Sequence, residues 1–274
     1  FSTAFIPTQW LTIISGGWSS LNHKIITQSG LWCSVIEFLK TNPKYAANQE
    51  KAVTELLSID TARILEGKES RSWLFRLLRS SKFDDAVQEI EDANAIVDKN
   101  ELEISAAHFD AEQFRESSLR LLRLKKQIIS LIKNAGDNKV HYTKARKETG
   151  RLLHTLQDFY SHSNWIESGN SDPLSILGNE IISDDYVAGA DEKTCNDCSP
   201  ARKYDILFGS DDCQNNLLNT GKLTSGYYGG QDVAKPRGVG KCSHGGIFDK
   251  SRKIKSRGGI NKDSSLRYLS PHYG

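Results

Sequence analysis

The segment from His154 to Trp165 combines imidazole and carboxylate groups at a spacing that could bind metal ions. His154, Asp158 and His162 lie four residues apart, along one stripe of a helix that drifts about 40° per step. Apolar residues fill the rest of that face, so the stripe is expected to point inward. A helix rises about 12 Å over eight residues, too far for both histidines to share one ion. The spacing therefore favours two or more ions, with Asp158 between them and able to bridge.

These three residues also have a structural interpretation. A histidine near an apolar face can be a hydrogen-bonded core residue, and a His-x-x-x-Asp pair can be an ordered i,i+4 contact. Burying three such groups without compensation would cost several kcal/mol, and metal ligation is one way to offset that cost. Spacing alone leaves both interpretations open.

Three more candidate ligands lie near expected helix ends. Asp98 follows Asn94-Ala-Ile-Val, His108 begins the stretch His-Phe-Asp-Ala-Glu, and His23 follows Asn22. Carboxylate oxygens together with imidazoles, and no clustered thiols in this half of the chain, suit Zn²⁺. Helix capping and surface solvation are the alternative roles for each of the three.

The elements that would position these residues are helices. Asn22 is a suitable N-cap for the first of them, and the long helix from about Ala106 ends at the turn 134–139. The apolar periodicity predicts helices at about 23–40, 49–65, 72–97 with a break near Lys82, 106–133, 142–162 and 173–182. The fold class expected is all-α, with residues 1–183 as a helical body.

From Asp184 onward glycine and small polar residues dominate, and apolar periodicity disappears. We expect residues 184–274 to form a loop-rich flap packed on the same domain. Four of the five cysteines lie here, at Cys195, Cys198, Cys213 and Cys242. Two disulfides fit this count, as does a zinc site of four thiolates. Disulfides are favoured because a second CxxC is missing, and they predict a secreted, extracellular protein.

Composition excludes several classes of protein. The chain of 274 residues has a formal net charge of +2, which argues against a nucleic-acid binder that depends on a wide basic field. No apolar run approaches the roughly 18 residues of a membrane-spanning helix. The chain opens on Phe1 and contains no methionine, so we expect a processed product whose leader has been removed.

Three stretches together resemble the HET-C and VWA7 N-terminal family. They are Asn94 to Asp98 with His108 to Glu112, then Thr149 to Trp165, and finally Cys242-Ser-His-Gly-Gly with Gly258 to Asp263 and Ser270-Pro-His272. That family is distantly similar to the zinc-dependent phospholipase C and S1/P1 nuclease fold. The resemblance implies a multi-helix, phospholipase C-like bundle that holds one to three zinc ions.

The resemblance also implies a ligand set. The His-x-x-x-Asp pair of the phospholipases matches His154 and Asp158, and their final His-x-x-x-Glu/Asp pair could begin at His272. The chain stops two residues after His272, so its partner is absent and His244 is a substitute candidate. The metal ligands implied are His23, Asp98, His108, His154, Asp158, His162, His244 and His272.

The resemblance implies hydrolysis of a phospholipid or another phosphate ester by metal-activated water, with Asp98 and Asp158 as catalytic residues and Asp98 able to act as base. The competing interpretation is a non-catalytic extracellular binding or structural module with a vestigial or structural metal site. The basic stretch from Lys250 to Arg257 could attract lipid headgroups, or it could be a solvated loop.

Overall fold

A computed structural model of the protein describes residues 22–41, 81–198, 215–246 and 248–263. Five α-helices occur in this part of the chain, and none of its residues belongs to a β-strand longer than an isolated bridge. The helices are α1 His23–Thr41, α2 Ser81–Ala95, α3 Val97–Asn100, α4 Phe114–Lys133 and α5 Lys139–His162. The all-α fold class expected from the periodicity agrees with this helical architecture.

Side-chain caps fix two helix starts. Asn22 accepts a hydrogen bond from the backbone N–H of Ile25 at 2.9 Å, which confirms the predicted cap of α1. Asn138 accepts one from Val140 at 3.0 Å and starts α5 three residues before the predicted boundary. The predicted helix at 49–65 lies outside the described residues.

Two helix predictions were wrong. Helix α4 begins at Phe114 rather than near Ala106, because Phe109, Ala111 and Glu112 have φ values of 52°, 55° and 57°, which a right-handed helix cannot contain. Residues 173–182 form successive turns instead of a helix. Gly178 has a φ of 74°, which a continuous right-handed helix does not contain.

Helix α5 is the central element of the described fold. It packs against α2 on one side and α4 on the other, and α1 packs on α2. Between α4, α5 and the turns after α5 lies an apolar core of Phe109, Phe114, Leu121, Phe159, Leu177 and Ile182. The aromatic rings of this core meet mainly edge to face, as at Phe109 and Phe159 with ring centroids 5.2 Å apart.

The C-terminal region is loop-rich, with 3₁₀ turns at Asp184–Tyr186 and Lys250–Lys253. A disulfide joins Cys195 to Cys242, so these two sulfurs are not thiolate ligands of a zinc site. Cys198 is disulfide-bonded as well, and Cys213 lies outside the described residues. Backbone bonds tie this region to the helical body, such as Ala111 N–H to the Gly226 carbonyl at 2.7 Å.

Within the described part of the chain, no helix combines the length and the apolar character needed to span a bilayer.

Candidate metal centre

The stripe of α5 that carries His154, Asp158 and His162 faces the protein interior, and all three side chains are at most 1% exposed. Eight residues separate the two histidines, and the structure places them in two different groups of donors. We call the first group the Asp158 cluster, made of His23, Asp98, His108, His154 and Asp158. The second, the His162 cluster, is made of Asp110, His162, His244 and Asp263.

In the Asp158 cluster one carboxylate contacts three imidazoles. Asp158 Oδ2 lies 2.9 Å from His108 Nδ1 and 3.0 Å from His154 Nε2, while Asp158 Oδ1 lies 3.3 Å from His23 Nε2. Asp98 Oδ1 lies 3.5 Å from His154 Nε2 and 4.0 Å from His108 Nδ1. The cluster thus contains two overlapping groups of three donors, His23 with His154 and Asp158, and Asp98 with His108 and His154, and His154 belongs to both.

Oxygen atoms at the periphery of this cluster determine which nitrogen of each imidazole carries the proton. His108 Nε2 donates to the Glu101 carbonyl at 3.2 Å, and His154 Nδ1 donates to Asn94 Oδ1 at 3.1 Å. His23 Nδ1 likewise donates to Gln157 Oε1. Since each oxygen only accepts, the nitrogen facing it carries the ring proton when the ring is neutral. The opposite nitrogens then present lone pairs to the centre of the cluster.

An amide network holds two of these outer oxygens in place. Asn94 Nδ2 donates to Thr27 Oγ1 at 2.9 Å and to Gln157 Oε1 at 3.1 Å. Gln157 Nε2 donates to the same threonine oxygen at 3.0 Å. Because both amide nitrogens are used as donors, both amide oxygens are left to face the histidines. Helices α1, α2 and α5 therefore jointly orient the imidazoles.

The His162 cluster repeats this arrangement. His162 Nδ1 donates to the His108 carbonyl at 2.8 Å, with Asp110 Oδ1 3.2 Å away. His162 Nε2 lies 3.2 Å from His244 Nε2 and 3.1 Å from Asp263 Oδ1, and His244 Nδ1 faces the Gly245 carbonyl at 3.2 Å. Two imidazole nitrogens and two carboxylates converge here as well.

This donor set fits divalent metal ions. His154 Nε2 and His108 Nδ1 are 3.1 Å apart, so in the neutral rings two lone pairs face each other, an arrangement that a shared cation stabilises. Donors on a tetrahedral zinc ion lie about 3.4 Å apart, because Zn–N and Zn–O bonds are about 2.0 to 2.1 Å long. Among the described residues, neither oxygen of buried Asp98 has a hydrogen-bond partner. Nitrogen and carboxylate donors suit Zn²⁺.

Burial and neighbouring charges shift the pKa values of these groups in different directions. Burial raises the pKa of Asp98 well above its ordinary value, with the neighbouring Asp158 adding to the effect. Burial also lowers the pKa of His154 to about 3, which keeps that ring neutral and able to act as a ligand. Burial opposes protonation of His162, but the carboxylates of Asp263 and Asp158 outweigh it and raise the pKa.

One turn supplies donors to both clusters. His108 and Asp110 flank Phe109, and three residues of this turn have positive φ although none is glycine. Buried Lys241 holds the end of the turn, with its ammonium 2.7 Å from Glu112 Oε2. Thr224 Oγ1 also donates to Glu112, at 2.6 Å. The flap thereby fixes a turn that the helices alone leave unsupported.

Tyr228 contacts the His162 cluster through its ring. The ring of Tyr228 meets the His244 ring edge to face, with centroids 5.2 Å apart. Burial, together with Asp249, Asp110 and further carboxylates, raises the pKa of Tyr228 to about 12. Its phenol therefore stays protonated and can donate a hydrogen bond.

Seven of the eight residues predicted as ligands meet in these two clusters, and His272 lies outside the described residues. The prediction missed Asp110 and Asp263, which complete the His162 cluster. Both lie in motifs that carry the family resemblance, but a single acid in a turn or loop has no periodicity to single it out. Sequence reasoning also missed Asn94, Gln157 and Gln231 as supporting residues. Gln231 donates to Asp110 Oδ2 at 2.7 Å.

Comparison with known proteins gives a consistent family match. The sequence model of the family described as the VWA7 N-terminal domain matches residues 69–274. The chain is 33% identical to von Willebrand factor A domain-containing protein 7 of Mus musculus, 32% to that of Rattus norvegicus and 31% to that of Homo sapiens. Each of these alignments covers 99% of this chain. The chain spans only 28% of the length of these relatives. No solved structure matches the chain.

Proposed function

The chain belongs to the VWA7 N-terminal domain family, and from that premise we propose that it is a secreted, zinc-dependent phosphoesterase of the phospholipase C type. The resemblance of that family to zinc-dependent phospholipase C and S1/P1 nuclease supplies the reaction class. One structural observation carries the proposal. In each cluster, two ring nitrogens of buried histidines face each other, and the same carboxylates lie close to both. The outer nitrogens of these rings face oxygen acceptors.

The two clusters would hold two or three zinc ions. Asp158, with His23, His154, His108 and Asp98, provides two overlapping sites, and Asp110, His162, His244 and Asp263 provide the third. When bound, zinc lowers the pKa of a coordinated water to about 7 and neutralises charge on a phosphate group.

The chain's own residues would handle protons around the phosphate ester. Asp98 has two carboxylate oxygens without hydrogen-bond partners among the described residues, so it can take a proton from the attacking water. Tyr228, which stays protonated, can donate a hydrogen bond to a phosphate oxygen or to the leaving group. Phospholipids and other phosphate esters share the group that these residues would bind.

Secretion is part of the proposal. The buried Cys195–Cys242 disulfide supports it, because structural disulfides persist mainly in oxidising compartments.

A second function is favoured by one specific observation. The donors are deeply buried, and Asp98, the most exposed among them, is only 8% exposed. Metal ions enclosed by protein ligands tie helices together without turnover. The alternative is therefore an extracellular binding or structural module in which zinc stabilises the fold.

Metal content tests the proposal directly. The purified, folded chain should contain at least two equivalents of zinc by elemental analysis, and Asp158→Asn should lose most of it, because this carboxylate contacts three of the histidines. Exposed Asp137 provides the control variant Asp137→Asn, which should keep the full metal content. A folded chain without metal, or unchanged stoichiometry in Asp158→Asn, would contradict the proposal.

Hydrolysis then separates the two functions. We expect the zinc-loaded chain to release nitrophenol from bis(p-nitrophenyl) phosphate, and Tyr228→Phe to lower kcat without losing zinc. Full zinc content with no turnover of this diester or of phosphatidylcholine would instead establish the structural role.

A further inference from the structure

The loop of residues 248–257, here called the basic loop, combines an exposed aromatic ring with exposed cations. Phe248 is 50% exposed, and Lys250, Lys253 and Lys255 are all exposed. None of the three lysines forms an ion pair with another residue in the described ranges. Five cationic residues lie in this loop against one acid, Asp249, which is buried.

The two arginines of the basic loop have other partners. Arg252 donates to the Gly246 carbonyl at 2.8 Å, within the same segment. Arg257 pairs with Asp197, with 3.1 Å between its Nη2 and the carboxylate Oδ2. Arg257 ties the loop to another part of the protein, and both arginines are engaged in these bonds, so the lysines are the cations that the loop presents to solvent.

Buried Asp249 gives the basic loop a fixed shape. Its carboxylate accepts backbone hydrogen bonds from Gly229 at 3.0 Å, Gly245 at 2.8 Å and Ser251 at 2.8 Å. With Asp249 held inward, its neighbours Phe248 and Lys250 are exposed. A loop already held in one conformation loses little entropy when it binds a surface.

The combination of groups indicates the kind of partner. Lysines attract any polyanion, but a soluble polyanion offers no apolar phase to an exposed phenyl ring. An anionic lipid bilayer offers both, because its phosphate groups attract lysines and its interfacial region accepts aromatic rings. We propose that the basic loop docks this protein on anionic lipid membranes, with Phe248 inserted between headgroups and the three lysines on lipid phosphates.

The basic loop begins close to the metal centre. His244, a member of the His162 cluster, lies four residues before Phe248, and Asp249 binds the N–H of Gly245 next to it. Docking would therefore bring the metal centre near the lipid phosphates. Membrane binding itself does not depend on the proposed hydrolysis and can be measured without it.

Vesicle binding tests this inference. The full chain should co-sediment with vesicles of phosphatidylcholine containing about one third phosphatidylserine, and bind pure phosphatidylcholine vesicles far more weakly. Each lysine near an anionic surface contributes about 1 kcal/mol, so K250Q/K253Q/K255Q should weaken binding roughly 100-fold. Phe248→Ser should weaken it about tenfold, because the phenyl ring no longer leaves water.

A matched triple variant controls for net charge. Lys139, Lys144 and Lys147 are exposed on α5, and K139Q/K144Q/K147Q removes the same charge from a different surface. This variant should bind vesicles within twofold of the unchanged chain. Near-ultraviolet circular dichroism and zinc content check that each variant is folded.

Three outcomes would overturn the inference. One is equal weakening by the two triple variants, which would reduce the effect to net charge. Another is unchanged vesicle binding in Phe248→Ser together with binding of the chain to heparin, which would identify a soluble polyanion as the partner. The third is absence of binding to the anionic vesicles.

Discussion

The histidines of the metal centre differ from ordinary core histidines in how both ring nitrogens are used. At His108 and His154 the outer nitrogen donates to an oxygen, and the inner nitrogens of the two rings then lie 3.1 Å apart. A core histidine that only fills space has no need of a second imidazole at that distance. The arrangement costs free energy in the absence of a cation and favours binding when one is present.

Asp98 offers a test of this balance. In the metal-free chain its carboxylate is buried without hydrogen bonds from described residues, so Asp98→Asn should leave stability in EDTA unchanged or raise it by about 1 kcal/mol. Zinc at 100 times its dissociation constant should stabilise the unchanged chain by about 2.7 kcal/mol per site, and the variant by clearly less.

Thermal unfolding with EDTA and with zinc measures both effects, and Asp137→Asn serves as the control. Equal zinc stabilisation of the three proteins would show that Asp98 is not a ligand.

At the scale of single residues, the sequence predicts those metal-centre residues that repeat at helical spacing. The four-residue spacing of His154, Asp158 and His162 is sufficient to predict an inward stripe on α5. Asp110 and Asp263 could not be identified in that way, because each reaches its cluster from a turn or loop. Their positions depend on tertiary contacts, which a spacing rule does not contain.

Helices α2 and α5 lie unusually close where they support the metal centre. A Cβ atom on Gly150 would lie 2.3 Å from the Ile90 carbonyl oxygen and 2.7 Å from the Ala93 Cβ. One turn further along α5, His154 donates its outer hydrogen bond to Asn94 of α2. The missing side chain at Gly150 is what allows this bond to form.

Gly150→Ala should therefore lower the free energy of unfolding by about 2 kcal/mol, since the gain in helix propensity is smaller than the cost of overpacking. Zinc affinity should fall as well, because the helices that orient His154 move apart. Urea denaturation and zinc titration provide the measurements.

Gly30→Ala is the matched control. This residue lies within α1, and a Cβ there has no heavy atom within 4 Å, so the substitution should be neutral or stabilise by up to about 1 kcal/mol. Similar destabilisation by both substitutions would refute the close-contact argument.

The start of α1 could be predicted from its local cap, whereas the start of α4 depends on the turn before it. Asn22 is a cap that the sequence displays, and α1 begins where it predicts. The start of α4 was predicted too early because Phe109, Ala111 and Glu112 do not look like left-handed residues. Their conformation is imposed by the flap, through contacts such as Lys241 with Glu112.

At the scale of the whole molecule, a disulfide joins two parts of the flap, and one of its cysteines is close in sequence to His244 of the metal centre. Cys195 and Cys242 are 47 residues apart in the chain, and His244 follows two residues after the second cysteine. Clustered cysteines predicted an oxidised flap, but connectivity cannot be deduced from spacing. The pairing emerges only when the loops are folded.

Replacing this disulfide should cost about 4 kcal/mol of stability by the chain-entropy model for a loop of this length. We expect Cys195→Ser with Cys242→Ser to unfold at lower urea concentration and to bind zinc more weakly, because the segment that carries His244 is less constrained.

Cys33→Ser is the control for that measurement, since Cys33 is exposed and not disulfide-bonded. It should match the unchanged chain in both urea midpoint and zinc affinity. A double variant that also matches would show that the disulfide adds nothing to the fold.

The turn that carries His108 and Asp110 has an evolutionary consequence. A left-handed conformation costs a non-glycine residue about 1 kcal/mol or more, and at Ala111 glycine would relieve that strain with little loss of packing. Glycine would not stabilise the chain at the other two positions, because Phe109 lies in the apolar core and Glu112 pairs with buried Lys241. Selection for stability alone would favour glycine in place of Ala111, and the more flexible backbone would loosen the placement of Asp110 next to it. Alanine at this position therefore gives up some stability for a fixed placement of the neighbouring donor.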